Sequence, residues 1–426
     1  MVHAVRRLQA IQNALTDNPV SADKKVDEFI LPDGAVMTVR SALVDSTPQT
    51  TLVYIDGLVV CEYRILDRTA QLVISAVGTE FEHTASHVPT FPVIEIFLSS
   101  SGLPQTPRHD ISVKDMWATV YALFTLYHVQ ETIPVVLSQQ ISNCEELCSY
   151  LLRSGLGRTA HAPTASKEEM YLHRATFWQG AGTQGYHPRG WLPPSSISPL
   201  SVAPFPYIQS FTRTPTVIAV HPLRPQKPEP GEIILRRFCP SIGETLEFKY
   251  FDLRSGSETS EHLDVFHRWH NSERVNRGWG ERGSLEKHRT YITNVMNDPA
   301  VLPVMMSWNG EHMGYAEITY LKENHVAAYI PGGLGDWDRG LHVLVGEDKF
   351  RGTERTNLWH RALIHYCFLA DPRTEHVMGE PKADNASILK VDFDSAMHIA
   401  TIFDFPYKRS ALTCVTRERF FRLDLL

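Results

Sequence analysis

Apolar residues recur at two spacings along this chain, and the switches between them divide it. Alternating or unbroken apolar runs at 37–43, 51–55, 58–66 and 71–77 predict strands. Asp56-Gly57 stands between the second and third as a hairpin turn. A further strand is predicted at 93–98. Helical spacing then takes over. Ser112 with Asp115, and Ser142 with Glu145, read as capping boxes ahead of apolar periodicity. A third start, Ser166 with Glu169, predicts a helix running through Tyr171 to Trp178 and ending near Gly180.

From Gln184 to Pro230 both periodicities disappear into Pro, Ser, Gly and aromatic residues, as in GYHPRGWLPPSSISPLSVAPFPY and HPLRPQKPEPG. Proline at this density opposes helices and central strands, so 184–230 reads as a long connector. The expected organisation is an α+β domain at 1–183, this connector, and a second domain at 231–426.

Regular patterning returns at Gly231. Residues 233–238 and 245–250 read as paired strands with a turn at Ser241-Ile242-Gly243. Leu263, Phe266, Trp269 and His270 fall on one helical face; Leu285, His288, Tyr291, Ile292 and Val295 make another. Strands follow at 301–308 and 313–320, joined by Asn309-Gly310, a type I′ turn signal. Residues 342–345 then form a short β-branched strand closed by Gly346. After a charged loop, an amphipathic helix carries Trp359, Leu363, Tyr366, Cys367 and Ala370 and stops at Asp371-Pro372. A short helix after Asp384-Asn385 and strands at 398–405 and 412–421 complete the pattern.

Composition narrows the function. With 426 residues, 43% hydrophobic and 21% charged, the chain has room for two or three full cores. A formal charge of −7 with no long basic run gives no reason to expect nucleic acid or anionic membrane as partners. No apolar run reaches the ~18 residues that span a bilayer. Cys144 and Cys148 could meet one helical turn apart, but no second pair completes a zinc site. The six cysteines are expected to be reduced thiols and no metal is expected. The basic amphipathic start, MVHAVRRLQAIQNAL, has no signal-peptide core and is loosely similar to an amino-terminal peroxisomal address, although Ala14 stands where His or Gln would be wanted. A cytoplasmic protein is expected, with the peroxisome as the alternative.

The strand at 342–345, the loop holding Arg351-Gly352 and the helix behind it form an anion cradle, since the free N–H groups of a first helical turn attract pyrophosphate. Strand–loop–helix units are also common in α/β proteins that bind no phosphate. This one is neither a Walker loop nor a dinucleotide fingerprint. His267, Trp269 and Trp279 with their arginine neighbours serve either as helix packing or as an acceptor pocket. Tyr315 and Glu317 share one strand face.

Seven segments in order carry a resemblance: FHRWHN, the NDP of Asn297–Pro299, GYAEITY, DRGLHVLVGE, the Arg351-Gly352 loop, DPRTEHVMGEPKADN and FDFPYKR. Over residues 231–426 the chain resembles the siderophore N-acyltransferases of the GNAT superfamily, the fungal hydroxyornithine transacylases and bacterial hydroxylysine acetyltransferases. The resemblance implies a GNAT fold, a mostly antiparallel mixed sheet flanked by helices, behind the amino-terminal α+β domain. It implies an acyl-CoA-dependent N-acyltransferase that uses anhydromevalonyl-CoA or acetyl-CoA to convert N5-hydroxyornithine into a hydroxamate for iron acquisition. Alternatives are another amine such as N6-hydroxylysine, or a non-catalytic CoA-binding scaffold.

His342 and Asp384 match the family's reacting pair, with His342 expected to take a proton and Asp384 to orient it or bind the N–OH group. Lys382 replaces the arginine common in the bacterial pattern. CoA is expected at Arg351, Gly352, Thr353 and Arg355, with pantetheine along Leu344 and Val345 and a further contact from Asn385. His267, Trp269, Trp279, Tyr315 and Glu317 are expected to meet the amino acid, Glu317 through its ammonium. The extra domain shapes the acceptor pocket, mediates self-association into a homodimer, or is a decayed duplicate of the same fold.

Overall fold

The computed structural model describes residues 28–41, 50–71, 90–98, 110–159, 168–197, 208–254, 260–423 and 426. The amphipathic start, the ends of two expected strands (42–43 and 72–77) and Ser166 lie outside them. The chain folds into two compact units: Met1–Gly190 with Pro240–Gly243, and Trp191–Cys239 with Glu244–Leu426. The proline-rich stretch from Trp191 onward therefore belongs to the second unit.

The first unit holds β1 (Glu28–Ile30), β2 (Val36–Ser41), β3 (Thr50–Ile55), β4 (Leu58–Gln71), β5 (Thr90–Phe97), α1 (Val113–Leu126), β6 (Thr132–Leu137), α2 (Cys144–Ser154), β7 (Gly157–Thr159), β8 (Met170–His173) and α3 (Arg174–Trp178). The helix expected from Ser166 is instead a strand followed by one short helix. Met170 and Leu172 are buried as β8 pairs with β6 at Thr132–Val135. α2 is capped differently from expectation. Its N-cap is Asn143, whose side chain ties the backbone of Ile111 (2.9 and 3.1 Å) and leaves the helix uncapped.

The second unit holds β9 (Gln209–Arg213) and β10 (Ile218–Pro222), a separate two-stranded ribbon within the stretch read as a connector, then β11 (Ile233–Cys239) and β12 (Glu244–Tyr250). Three helices follow where two were expected: α4 (Glu261–Asn271), α5 (Glu273–Trp279) and α6 (Leu285–Asn297). Ser260, Ser272 and Ser284 cap them in turn. β13 (Val301–Trp308) and β14 (Glu311–Tyr320) flank the Asn309-Gly310 turn, both residues at positive φ (49° and 81°). Then come β15 (Arg339–Val345), α7 (Thr353–Ala370), β16 (His376–Gly379), α8 (Ala386–Asp394), β17 (His398–Phe405) and β18 (Lys408–Thr416). The last expected strand ends early, because Arg417–Arg422 form a helix, α9, capped by Thr416.

The two sheets share one topology. The first runs β1-β2-β3-β4-β5-β6-β8-β7 and the second β11-β12-β13-β14-β15-β16-β18-β17. In each, the fifth and sixth strands are the parallel pair and a helix makes the crossover. They differ where chemistry would sit. β5 stays paired with β6 at Ile94, Glu95 and Ile96, almost to its end. β15 pairs with β16 only at Arg339 and Gly340, so the two strands separate for the rest of β15. The first sheet has the same strand order with no such wedge between its parallel strands.

Strand alternation gives the second sheet two working faces. Tyr315 and Leu344 pack on Phe266, Trp269 and Ile292 under α4–α6. Trp269, expected at the acceptor, is a packing residue. It is buried against Gly346, and its indole donates to Glu347 Oε1 (2.8 Å). A Cβ on Gly346 would fall 2.1 Å from the Trp269 ring. Gly346→Ala is therefore expected to cost about 1–3 kcal/mol, seen as a lower urea midpoint at unchanged m-value.

Candidate active site

The centre of the site is His342. Its β15 position faces Glu317 of β14 directly across the ladder. Nδ1 lies 3.4 Å from Glu317 Oε2 and Nε2 lies 3.0 Å from Glu380 Oε1, while 31% of the side chain stays open. Burial opposes charge on the ring, but the two carboxylates outweigh it and raise the imidazole to about 10. His342 therefore carries a proton at neutral pH. The base expected from sequence is an imidazolium between two anions.

Glu317, 5% exposed, accepts the Tyr291 hydroxyl (2.6 Å) and the Tyr315 hydroxyl (2.9 Å) on one oxygen and faces His342 with the other. Burial works against its charge, but His342 and the two phenols prevail and hold it below the usual carboxylate range. Glu380 is depressed in the same way: burial is outweighed by His342 and Lys408, whose ammonium pairs with the second Glu380 oxygen and donates to the Glu380 carbonyl (3.0 Å). Trp279 stands edge-on to His342 with ring centroids 6.5 Å apart, and also meets Tyr315. His325 joins Tyr407 at 3.1 Å within the field of Glu380 and His342.

Of the residues expected here, the structure brings together His342, Glu317, Tyr315 and Trp279. Asp384 is exposed and bonds no ring of His342 among the described residues; Glu380, four residues earlier in the same motif, takes that place. Glu317 is committed to His342 and two phenols, which removes it as a free anchor for an ammonium. Tyr315 is fully buried and positions Glu317. His267 bonds His288 (2.8 Å) and Asn271, between α4 and α6. Sequence reasoning missed Glu380, Tyr291 and Lys408. Tyr291 reads from sequence only as part of a helical face, and the pairing that brings Glu380 to Lys408 runs through β16 and β18, which no local pattern announces.

The wedge beside His342 offers an extended edge. Gly346 N–H bonds Met313 O (2.8 Å) on β14, so by alternation Val343 and Val345 turn their peptide groups toward the side β16 has left. Arg274 takes the Val345 and Gly346 carbonyls (2.8 Å each), so among the described residues Val343 and the Val345 N–H face the open side, while Leu344 turns its peptide groups to β14. Beyond it α7 begins at Gly352, at φ 133° with no side-chain cap. Arg351, Gly352 and Thr353 are exposed there. The 18-residue helix thus presents uncapped N–H groups. Arg355 is not free for phosphate, since its guanidinium holds Glu244 (Nε to Oε2, 3.0 Å). Asn385 is the N-cap of α8 and accepts from Ile388 N–H. Cys367 lies buried on α7, its thiol pushed up to about 11 by burial, which is no setting for a nucleophile.

An open strand edge beside a protonated histidine, followed in the chain by a bare helix start, suits a thioester with a phosphorylated tail. Residues 258–405 match the acetyltransferase (GNAT) domain family. The acyltransferase ato1 of Omphalotus olearius is 37% identical over 400 residues, covering 93% of this chain and 95% of its own. A hydroxyornithine transacylase of Ajellomyces capsulatus is 36% identical over 327 residues, with 73% and 72% covered. An N(5)-hydroxyornithine:cis-anhydromevalonyl coenzyme A transacylase of Beauveria bassiana is 40% identical over 270 residues, with 59% and 57% covered. The chain belongs to the GNAT acyltransferases, in the siderophore N-acyltransferase branch its motifs resemble.

Proposed function

We propose that this protein transfers an acyl group from acyl-CoA to the hydroxylamine nitrogen of N5-hydroxyornithine, giving a hydroxamate. The observation that carries the mechanism is the Glu317–His342–Glu380 array at the mouth of the β15–β16 wedge. A hydroxylamine nitrogen is less basic than an alkylamine, so it arrives uncharged at neutral pH. As it attacks the thioester carbonyl, the N–C bond forms, the C–S bond breaks and the nitrogen must lose a proton.

Glu380, ionised and partly open, takes that proton. His342, already charged, gives its own to the departing thiolate. The 3.0 Å bond between them then returns the proton from Glu380 to the imidazole, and the site is reset. Glu317 keeps the ring charged and oriented throughout. The uncapped α7 start, at Arg351, Gly352 and Thr353, holds the pyrophosphate, and the Val343 edge holds the pantetheine by strand-like bonds. Trp279 forms a wall of the acceptor side.

The test is thiol release from acetyl-CoA and anhydromevalonyl-CoA with N5-hydroxyornithine, N6-hydroxylysine and ornithine as acceptors. Release that requires hydroxyornithine is expected, and the faster donor identifies the acyl group. CoA binding without release to any hydroxylamine would leave the non-catalytic scaffold as the reading.

A further inference from the structure

The reverse face of the two strands that hold the active site carries a second cavity, of about 400 Å³, inside the same unit. Ile318 and Tyr320 of β14 and Arg339 of β15 line it, with Tyr366 and Ala370 from the last turns of α7. Alternation separates the two sites: Glu317 and His342 face one way, Ile318, Tyr320 and Arg339 the other.

Arg339 is the unusual member. It is 4% exposed, and its buried Nε has no hydrogen-bond partner. Its guanidinium lies over the Tyr320 ring at 4.0 Å, and no carboxylate ion-pairs with it among the described residues. Arg224 and Asp371 beside it are both paired. Arg224, on the same tyrosine ring, is held by both oxygens of Glu323 (2.5 and 2.6 Å). Asp371, whose field reaches Arg339, has both oxygens on Arg373 (2.9 and 2.6 Å). The lining mixes proline and aliphatic carbon with Lys227, Glu229 and Glu232. Lys227 is spent on the Val295 and Met296 carbonyls (3.0 and 2.7 Å) and Glu232 on the Ser195 hydroxyl and the Glu229 N–H, which leaves Arg339 as the guanidinium of this cavity with no carboxylate of its own among the described residues. A buried guanidinium without a hydrogen-bonded carboxylate has donors to spare, and a small anion with an apolar body would take them. The volume falls in the range of small-molecule sites.

We infer that this cavity is a binding site for a small organic carboxylate, its head on Arg339 and its body against Ile318 and Ala370. The inference does not depend on the acyl-transfer reading. Because β14 and β15 are common to both faces, a ligand here braces the strands that hold Glu317 and His342.

The probe is hexanoate, titrated into the full chain without acyl-CoA and followed by protein NMR shifts and Tm, with sodium sulfate as the anion control. Hexanoate should bind saturably and raise Tm, and sulfate at equal charge should not. Arg339→Met should weaken hexanoate about tenfold or more. Ala370→Leu, which fills the cavity and keeps the arginine, should also abolish binding. His342→Ala should bind hexanoate as wild type does, so a failed catalytic reading leaves this result intact. Equal response to sulfate would reduce the site to an inorganic anion contact. No hexanoate binding, undiminished binding by Arg339→Met, or a lowered Tm in that variant with hexanoate binding absent from wild type would each overturn the proposal, leaving Arg339 as a structural cation.

Discussion

His342→Ala is expected to lower kcat about a thousandfold, the usual scale for a positioned proton donor, with acyl-CoA affinity near the wild-type value. The phosphate end rests on the α7 backbone and the pantetheine on the Val343 edge, neither of which involves the imidazole. Single-turnover kinetics beside CoA titrations separate the two quantities. A variant that kept full kcat would remove His342 from the reaction. The pH dependence follows from the same pair of carboxylates. The imidazole is raised to about 10, so the rate should hold through neutral pH and fall as pH rises through about 10. On the acid side, Glu317 and Glu380 lie below the usual carboxylate range, and the rate should fall only when they protonate. Stability follows with matching sign. The contribution of His342 is full below its unfolded value of about 6.5 and is lost as pH rises through the folded one. A profile with its inflection near the unperturbed histidine value would instead restore the neutral-base mechanism.

Much of the second unit was legible because its signals are local. Asn309-Gly310 marks a turn by its need for positive φ, and apolar faces mark α4 and α6, whereas the short α5 and the serines that cap all three helices went unread. The strand–loop–helix around Gly352 could be read from one glycine and an apolar stripe. The first unit was harder. Met170–His173 follows a capping pattern, and only pairing with β6 makes it a strand. Its likeness to the second unit lies in strand order, which leaves no trace in motifs. At the site, residue types were recognised and roles were not. Glu317 reads as an open carboxylate until Tyr291 arrives from α6, twenty-six positions away in sequence, to share it. Asp384 and Glu380 are equivalent as text, and only the β16–β18 pairing places Glu380 on the ring.

The two carboxylates on His342 should respond differently to removal. Glu317 is buried with three donors converging on it, and Glu317→Leu leaves two phenols without their acceptor and an imidazolium with one anion fewer. Breaking a buried charge pair in this way costs about 3–5 kcal/mol, or roughly 10 °C in Tm for a unit of this size. Activity should fall with it, because the imidazole loses both charge support and orientation. Glu380 is closer to solvent, and Lys408 keeps the Glu380 carbonyl as a partner when the carboxylate goes. Glu380→Gln should therefore cost little in Tm and about a hundredfold in kcat, since the amide cannot accept the hydroxylamine proton. Calorimetry and steady-state kinetics on both variants decide the point. If Glu317→Leu lost rate without stability and Glu380→Gln lost stability without rate, the buried carboxylate would be the proton acceptor and the outer one the support. Equal losses in both would mean that the array works as one coupled unit, with no single acceptor to assign.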